Sequence, residues 1–190
     1  VSGVSFGGLV AARMTLEAPR DLFAGVALVA PAMDVPYSPI LRIQAAIGAL
    51  LARTVPNMRM VPAVLPSKLS KDQAAIDDYV NDPLVKVANI RAKVGYEILN
   101  AFTKLKKRYG EVTAPLLVLH GALDICTDNK ASEKFVRLAG SVDKKHVLLP
   151  GMYHLCLHES GNEAVIALLK DFVISRAAAA AGAAVPKERG

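Results

Sequence analysis

Apolar residues along the chain fall into two kinds of run. Three runs are short, continuous and rich in Leu, Val or Ala, each followed by a turn or polar residues: Gly25–Ala30 (GVALVA), Leu116–His120 (LLVLH) and His146–Leu149 (HVLL). Such runs mark strands buried on both faces of a parallel sheet. Other stretches space their apolar residues helically. Phe6–Glu17 (FGGLVAARMTLE) and Lys130–Ala139 carry helix formers, and Ala164–Arg176 carries a stripe from Val165 through Leu168, Phe172 and Val173. Strands alternating with helices predict an α/β fold with a mostly parallel sheet.

Between the first two of these strands lies an insertion, about Asp34 to Val112, too long for an ordinary crossover. Pro31, Pro36 and Pro39 introduce it, and Ile40–Thr54 follows with Ile40, Ile43, Ile47, Leu50 and Leu51 at helical spacing. That stripe suits a helix packed on the domain, and equally a greasy lid that touches a membrane surface. The tail is Ala-rich from Ala177 to Ala184, continues through Val185 and Pro186 to Gly190, and is expected to fray.

Composition narrows the possibilities. The chain has 190 residues, a formal charge of +6, 53% hydrophobic and 21% charged residues, two Cys and no Trp. Enough apolar surface is available to offset chain entropy, so wholesale disorder is excluded, as are collagen, coiled-coil and disulfide-stapled designs. Uncharged runs such as Ile43–Ala52, once past Arg42, fall far short of the roughly 20 residues a spanning helix needs. The densest basic cluster, Lys104, Lys106, Lys107 and Arg108, has only Tyr109 beside it, so it reads as a solvated helix end rather than a nucleic-acid track. No nucleic-acid partner is expected.

Three segments carry chemistry. Gly3-Val4-Ser5-Phe6-Gly7, followed by Gly8, matches G-x-S-x-G, in which a Ser sits on a strained turn between strand and helix. A Ser hydroxyl is a poor nucleophile until a His accepts its proton, and that His needs a carboxylate to fix its tautomer. Asp124 follows the strand LLVLH, and His154 follows HVLL. All three therefore fall beyond the carboxyl ends of strands, where open α/β sheets hold their sites. The Phe6 backbone N–H, at a helix start, is an oxyanion donor candidate. His120 and His146 lack the carboxylate and cysteine company of a metal site, and neither metal nor cofactor is expected. Cys126 and Cys156 each fall two residues after a triad candidate; reduced thiols are the ordinary expectation, and redox control of the acid and base loops the sharper one.

Beyond the triad, VPNMRMVP (Val55–Pro62), LSKDQAAIDDYVNDPL (Leu69–Leu84), EILNAF (Glu97–Phe102), APLLVLHGALD (Ala114–Asp124) and LLPGMYHLCLHE (Leu148–Glu159) resemble α/β-hydrolases of the monoacylglycerol lipase type. The resemblance implies an α/β-hydrolase fold with a helical cap. Residues 1–33 would hold the nucleophile elbow with its helix and strand, 34–112 the cap, 113–176 the carboxy-terminal core, and 177–190 a disordered tail. It also implies hydrolysis of a monoacylglycerol ester, with Ser5 as nucleophile, Asp124 as acid and His154 as base. Tyr79 matches a cap tyrosine that contacts the glycerol head group. Val4 stands where the family usually has His, and His158 lies near a second family histidine, so both are candidate substrate contacts. Lysophospholipids or other carboxylic esters are alternative substrates, and an inactive lipid- or partner-binding remnant is a third reading. The setting implied is cytoplasmic, peripheral to membranes through the cap. Several strands precede the elbow in such folds, so the chain reads as amino-terminally truncated, and alone it is expected to aggregate or to hydrolyse esters poorly.

Overall fold

A computed structural model describes residues 1–36 and 38–184 of the chain. In chain order it runs β1 (Ser2–Val4), α1 (Phe6–Glu17) and β2 (Val26–Val29), then the insertion with α2 (Pro39–Ala46), α3 (Gly48–Thr54), β3 (Arg59–Val61), α4 (Gln73–Asn81), β4 (Ile90–Arg91) and α5 (Ala92–Lys106). The remainder is β5 (Leu116–Gly121), α6 (Asn129–Leu138), β6 (Lys144–Leu149) and α7 (Glu163–Ala184). Strands β1, β2, β5 and β6 form one parallel sheet in that order.

The continuous apolar runs are explained by burial on both faces. Alternate residues of β2 and β5 point opposite ways. Val26, Leu28, Leu116 and Val118 join Leu9, Phe102, Leu105 and Phe135 in one core layer, while Val29, Leu117 and Leu119 join Leu149, Cys156 and Val165 in the other. Helices α1, α5 and α6 thus cover one face and α7 the other. β6 begins at Lys144, two residues earlier than its apolar run, because Lys144 and Lys145 pair with Leu116 and Leu117 while their side chains stay exposed.

The insertion departs from expectation in three ways. Ile40–Thr54 is not one helix: Ile47 leaves the helical region at φ −105°, ψ 10°, and α3 restarts at Gly48, where a Cβ would stand 3.2 Å from the Tyr96 ring of α5. The break lets α3 lie close on α5, and it leaves Ile40, Ile43, Ile47 and Leu50 between 45% and 65% exposed. The cap is also not wholly helical, since β3 and β4 pair antiparallel with a register shift. Lastly, its final helix belongs to the main core: Phe102 and Leu105 are buried there with Tyr109 and Val112, and Tyr109 meets Phe135 edge-on at 4.8 Å.

The basic cluster closes α5, where Lys106 pairs with Asp34 and Arg108 with Glu17 and Glu111. At the other end of the chain, Ala177–Ala184 continues α7 instead of fraying, in keeping with alanine's high helix propensity. Residues 185–190, expected to be disordered, lie outside the described residues.

Candidate active site

Ser5 occupies the single residue between β1 and α1, at φ 52° and ψ −122°, a conformation L residues rarely adopt. Three backbone bonds hold it there. Its N–H donates to the Val29 carbonyl (3.0 Å), and its own carbonyl accepts from Gly8 and Ala32 (both 2.9 Å). The hydroxyl does not cap α1; it lies 2.8 Å from His154 Nε2.

The glycines around it are unequal. A Cβ on Gly3 would stand 2.3 Å from the Gly7 carbonyl oxygen, and one on Gly8 would stand 2.6 Å from Pro31 Cβ, whereas one on Gly7 meets nothing within 4 Å. The turn therefore demands glycine at Gly3 and Gly8, and among the described residues nothing sterically requires it at Gly7. Gly3→Ala is expected to destabilise the fold by about 1–3 kcal/mol or more. Gly7→Ala, inside α1, should be neutral or stabilising by up to about 1 kcal/mol. Equal shifts in urea midpoint for the two variants would contradict this.

His154 lies in the loop after β6. Its Nδ1 is 2.7 Å from Asp124 Oδ2, and its side chain is only 5% exposed. The loop is tied to the cap: the N–H groups of His154 and Leu155 both donate to the Leu69 carbonyl (3.0 and 2.9 Å). Asp124 follows β5 and its side chain is fully buried. Oδ1 accepts from the N–H groups of Cys126 (2.7 Å) and Thr127 (3.1 Å); Oδ2 accepts from Thr127 Oγ1 (2.8 Å) and faces His154 and His120. Burial pushes this carboxyl up, but the bonds from His120, His154 and Thr127 outweigh it and hold the group well below the usual carboxylate range. Asp124 is thus an anion in the interior, aligned with an imidazole that reaches the Ser5 hydroxyl.

A family model described as serine aminopeptidase, S33 (Hydrolase_4) matches residues 1–161. The chain belongs to this family. Human monoglyceride lipase is 29% identical over 186 residues, 97% of this chain and 60% of that protein. The monoacylglycerol lipase of Mycolicibacterium smegmatis is 25% identical over 177 residues, covering 92% and 61%. Among solved structures, the monoacylglycerol lipase of Paleococcus ferrophilus superposes with a TM-score of 0.83 at 26% identity, over 92% of this chain and 67% of that one. A soluble variant of Saccharomyces cerevisiae monoglyceride lipase, in complex with a substrate analog, gives 0.79 at 21% identity, over 92% and 61%. The fold is that of the α/β-hydrolases, and the chain spans about 60% of the length of the curated relatives named here.

In this Hydrolase_4 chain, Ser5 opens onto a cavity of about 450 Å³ between the sheet and the cap. Its walls are mostly apolar, with Leu41, Val61, Leu65, Ile98 and Phe102 from the insertion, and Lys68 and Asn89 are the polar residues furthest from Ser5 in sequence that still reach it from the cap. Phe6 lines it as well, and its N–H lies in the first turn of α1, where backbone donors have no acceptor within the helix. The other expected substrate contacts are not brought to it. Tyr79 is half-buried on α4, Val4 is 42% exposed on β1, and His158 is exposed near the far end of the base loop; none lines the cavity.

Two readings of side-chain company change. His120 does have a carboxylate beside it, with Nε2 3.0 Å from Asp124 Oδ2. A His closing a buried apolar strand, four residues before an Asp, was the available signal; Thr127 and the Leu69 carbonyl left none. Asp124, Cys126 and His154 put donor atoms within 4.8 Å of one another, a spacing a metal could use. Those atoms are engaged otherwise: His154 Nδ1 bonds Asp124, and Cys126 Sγ donates to the Lys68 carbonyl at 3.3 Å. Burial, reinforced by the Asp124 charge, pushes the thiols of Cys126 and Cys156 up to about 12, so both are protonated and poor nucleophiles at neutral pH. The sulfurs donate to different carbonyls, Lys68 and Tyr153, and both cysteines are free. This environment does not favour redox control at either residue.

Proposed function

We propose that the chain hydrolyses the ester bond of a monoacylglycerol through Ser5, His154 and Asp124. The observation that carries this is a hydroxyl, an imidazole and a carboxylate in line at 2.8 and 2.7 Å, opening onto a mostly apolar cavity of about 450 Å³ walled by the cap, which suits an acyl chain. His154 Nε2 takes the proton from Ser5 Oγ as the oxygen attacks the ester carbonyl. The Phe6 N–H donates to the oxyanion that forms, where the helix dipole also favours negative charge. His154 then gives its proton to the leaving glycerol oxygen, and water, deprotonated by the same imidazole, releases the fatty acid and restores Ser5. Asp124 keeps Nδ1 protonated and stabilises the imidazolium. In this reading the core comprises residues 1–33 and 113–176, with the cap at 34–112 supplying the acyl wall.

The cap also supports contact with a membrane surface. Between Ile40 and Lys71 there are five basic residues (Arg42, Arg53, Arg59, Lys68, Lys71) and no Asp or Glu, alongside the exposed Ile40, Ile43, Ile47 and Leu50. Among the described residues no helix is long and apolar enough to cross a membrane. Lys68 on the cavity wall supports a second reading, in which its ammonium meets the phosphate of a lysophospholipid.

The test offers a monoacylglycerol, a lysophospholipid and a short-chain ester, each free and in vesicles containing anionic lipid. Preferential turnover of the monoacylglycerol is expected, with Ile43→Glu raising KM only for the vesicle-borne substrate. Turnover of the lysophospholipid alone would favour the second reading, and no Ser5-dependent turnover of any ester would leave an inactive binding role.

A further inference from the structure

Behind the acid lies a line of polar side chains that the reaction as written does not use. His120 and Ser132 are both completely buried. His120 Nε2 stands 3.0 Å from Asp124 Oδ2, and its Nδ1 stands 2.8 Å from Ser132 Oγ. Ser132 Oγ in turn lies 3.1 Å from His146 Nε2 and 2.8 Å from the Asn129 carbonyl. His146, on β6, is half-buried, so the line runs from the interior of the site across β5 and α6 toward the surface.

Counting protons decides its direction. Ionised Asp124 can only accept, so His120 Nε2 must carry a hydrogen. Ser132 has a single hydroxyl proton and can give it either away from His120, to the Asn129 carbonyl or to an unprotonated His146 Nε2, or to His120 Nδ1. In the first case His120 Nδ1 would need a second proton, making a fully buried imidazolium that would neutralise Asp124 and weaken its hold on the His154 imidazolium. In the second case His120 is neutral, and His146 Nε2–H completes the line by donating to Ser132. Burial pushes the His146 imidazole down, which keeps the outer end neutral as this arrangement needs.

We propose that His146, Ser132 and His120 form a one-way donor relay, Nε2–H to Oγ–H to Nδ1 and then Nε2–H to Asp124 Oδ2, that positions the acid of the triad. It rests on reading Asp124 as that acid. Every hydrogen in it points toward the carboxylate, so each bond polarises the next. The relay also fixes which oxygen of Asp124 meets His154: Oδ1 is taken by two backbone N–H groups, and Oδ2 is held by His120 and Thr127 opposite Nδ1. His120 is accordingly a positioning residue and touches no substrate.

Two measurements on the full 190-residue chain test this. With 15N-labelled histidine, the four histidines report their tautomers by NMR. His120 is expected as the Nε2–H tautomer with a hydrogen-bonded, unprotonated Nδ1 whose resonance moves in Ser132→Ala. An Nδ1–H or doubly protonated His120, or no response to Ser132→Ala, would overturn the relay whether or not the protein turns over esters. The second measurement is the rate at which a fluorophosphonate labels Ser5. His120→Leu should slow labelling by about 10- to 100-fold, the worth of one hydrogen bond to a charged group. In ester turnover the loss should fall on kcat with KM unchanged, and His120→Gln, which keeps a donor, should recover most of it. Labelling of His120→Leu at the parent rate would remove its positioning role, whereas absence of labelling in the parent chain would count against the proposed function and leave the NMR result to judge the relay.

Discussion

Ser5→Ala is expected to abolish covalent labelling by a fluorophosphonate and to lower ester turnover by about 10⁴-fold or more, the scale on which serine hydrolases lose activity without their nucleophile. The hydroxyl lies 2.8 Å from His154 Nε2, and among the described residues no other hydroxyl is bonded to that nitrogen. Alanine fits the same backbone, because the turn is held by the Ser5 main chain through Val29, Gly8 and Ala32. The serine oxygen makes no capping bond to α1, so its removal leaves the helix start intact. A folded Ser5→Ala protein with parental turnover would sink the proposed function, since the reaction would then run without the hydroxyl that His154 Nε2 contacts.

The second large effect belongs to Asp124→Asn, expected to cut kcat by about 10⁴-fold while the chain stays folded. An asparagine keeps Oδ1 for the N–H groups of Cys126 and Thr127, which preserves the loop. Its NH₂ then faces His154 Nδ1, and a donor there selects the tautomer with the hydrogen on Nε2. That nitrogen points at Ser5 Oγ and can no longer take its proton. A pH signature accompanies the loss. The folded-state carboxyl lies below its ordinary value of 3.8, so its stabilising contribution is fully present above that value and disappears as pH falls through the lowered one. The stability gap between parent and Asp124→Asn should therefore be constant at neutral pH and close in strong acid. A variant within tenfold of parental kcat, or a gap that widens on acidification, would argue against this account of Asp124.

How far the site was legible in the sequence depended on the range of the interactions involved. Ser5 was readable because the turn that strains it is local: Gly3 must let the Gly7 carbonyl approach, and five residues contain both partners. Asp124 and His154 were readable from their places just past β5 and β6. Whether Tyr79, Val4 and His158 line the cavity was not legible, because which cap and loop side chains face it depends on how α4 and the base loop pack. His120 reads in the sequence as a histidine without carboxylate company, since its company is assembled from β5, α6, β6 and the acid loop.

The break in Ile40–Thr54 has a similar origin. Helical spacing continues across Ile47, and only the approach of Tyr96 to Gly48 shows why the chain turns there. The same holds for α5, whose membership in the main core comes from Phe102 and Leu105 meeting α1 and the sheet.

By itself, the sequence determined the α/β class, the buried strands and the span of α1, and it singled out Ser5, His154 and Asp124, whose side chains lie within hydrogen-bonding distance of one another in that order. Each of these rests on local periodicity or turn chemistry, which neighbouring residues fix. Only the tertiary structure decided that Gly7 is sterically free, that the cap shares a core helix with the domain, that both thiols are buried and protonated, and that His120 stands behind the acid. Those are properties of packing that no single segment encodes, even where, as for His120 and Asp124, only four residues separate the partners.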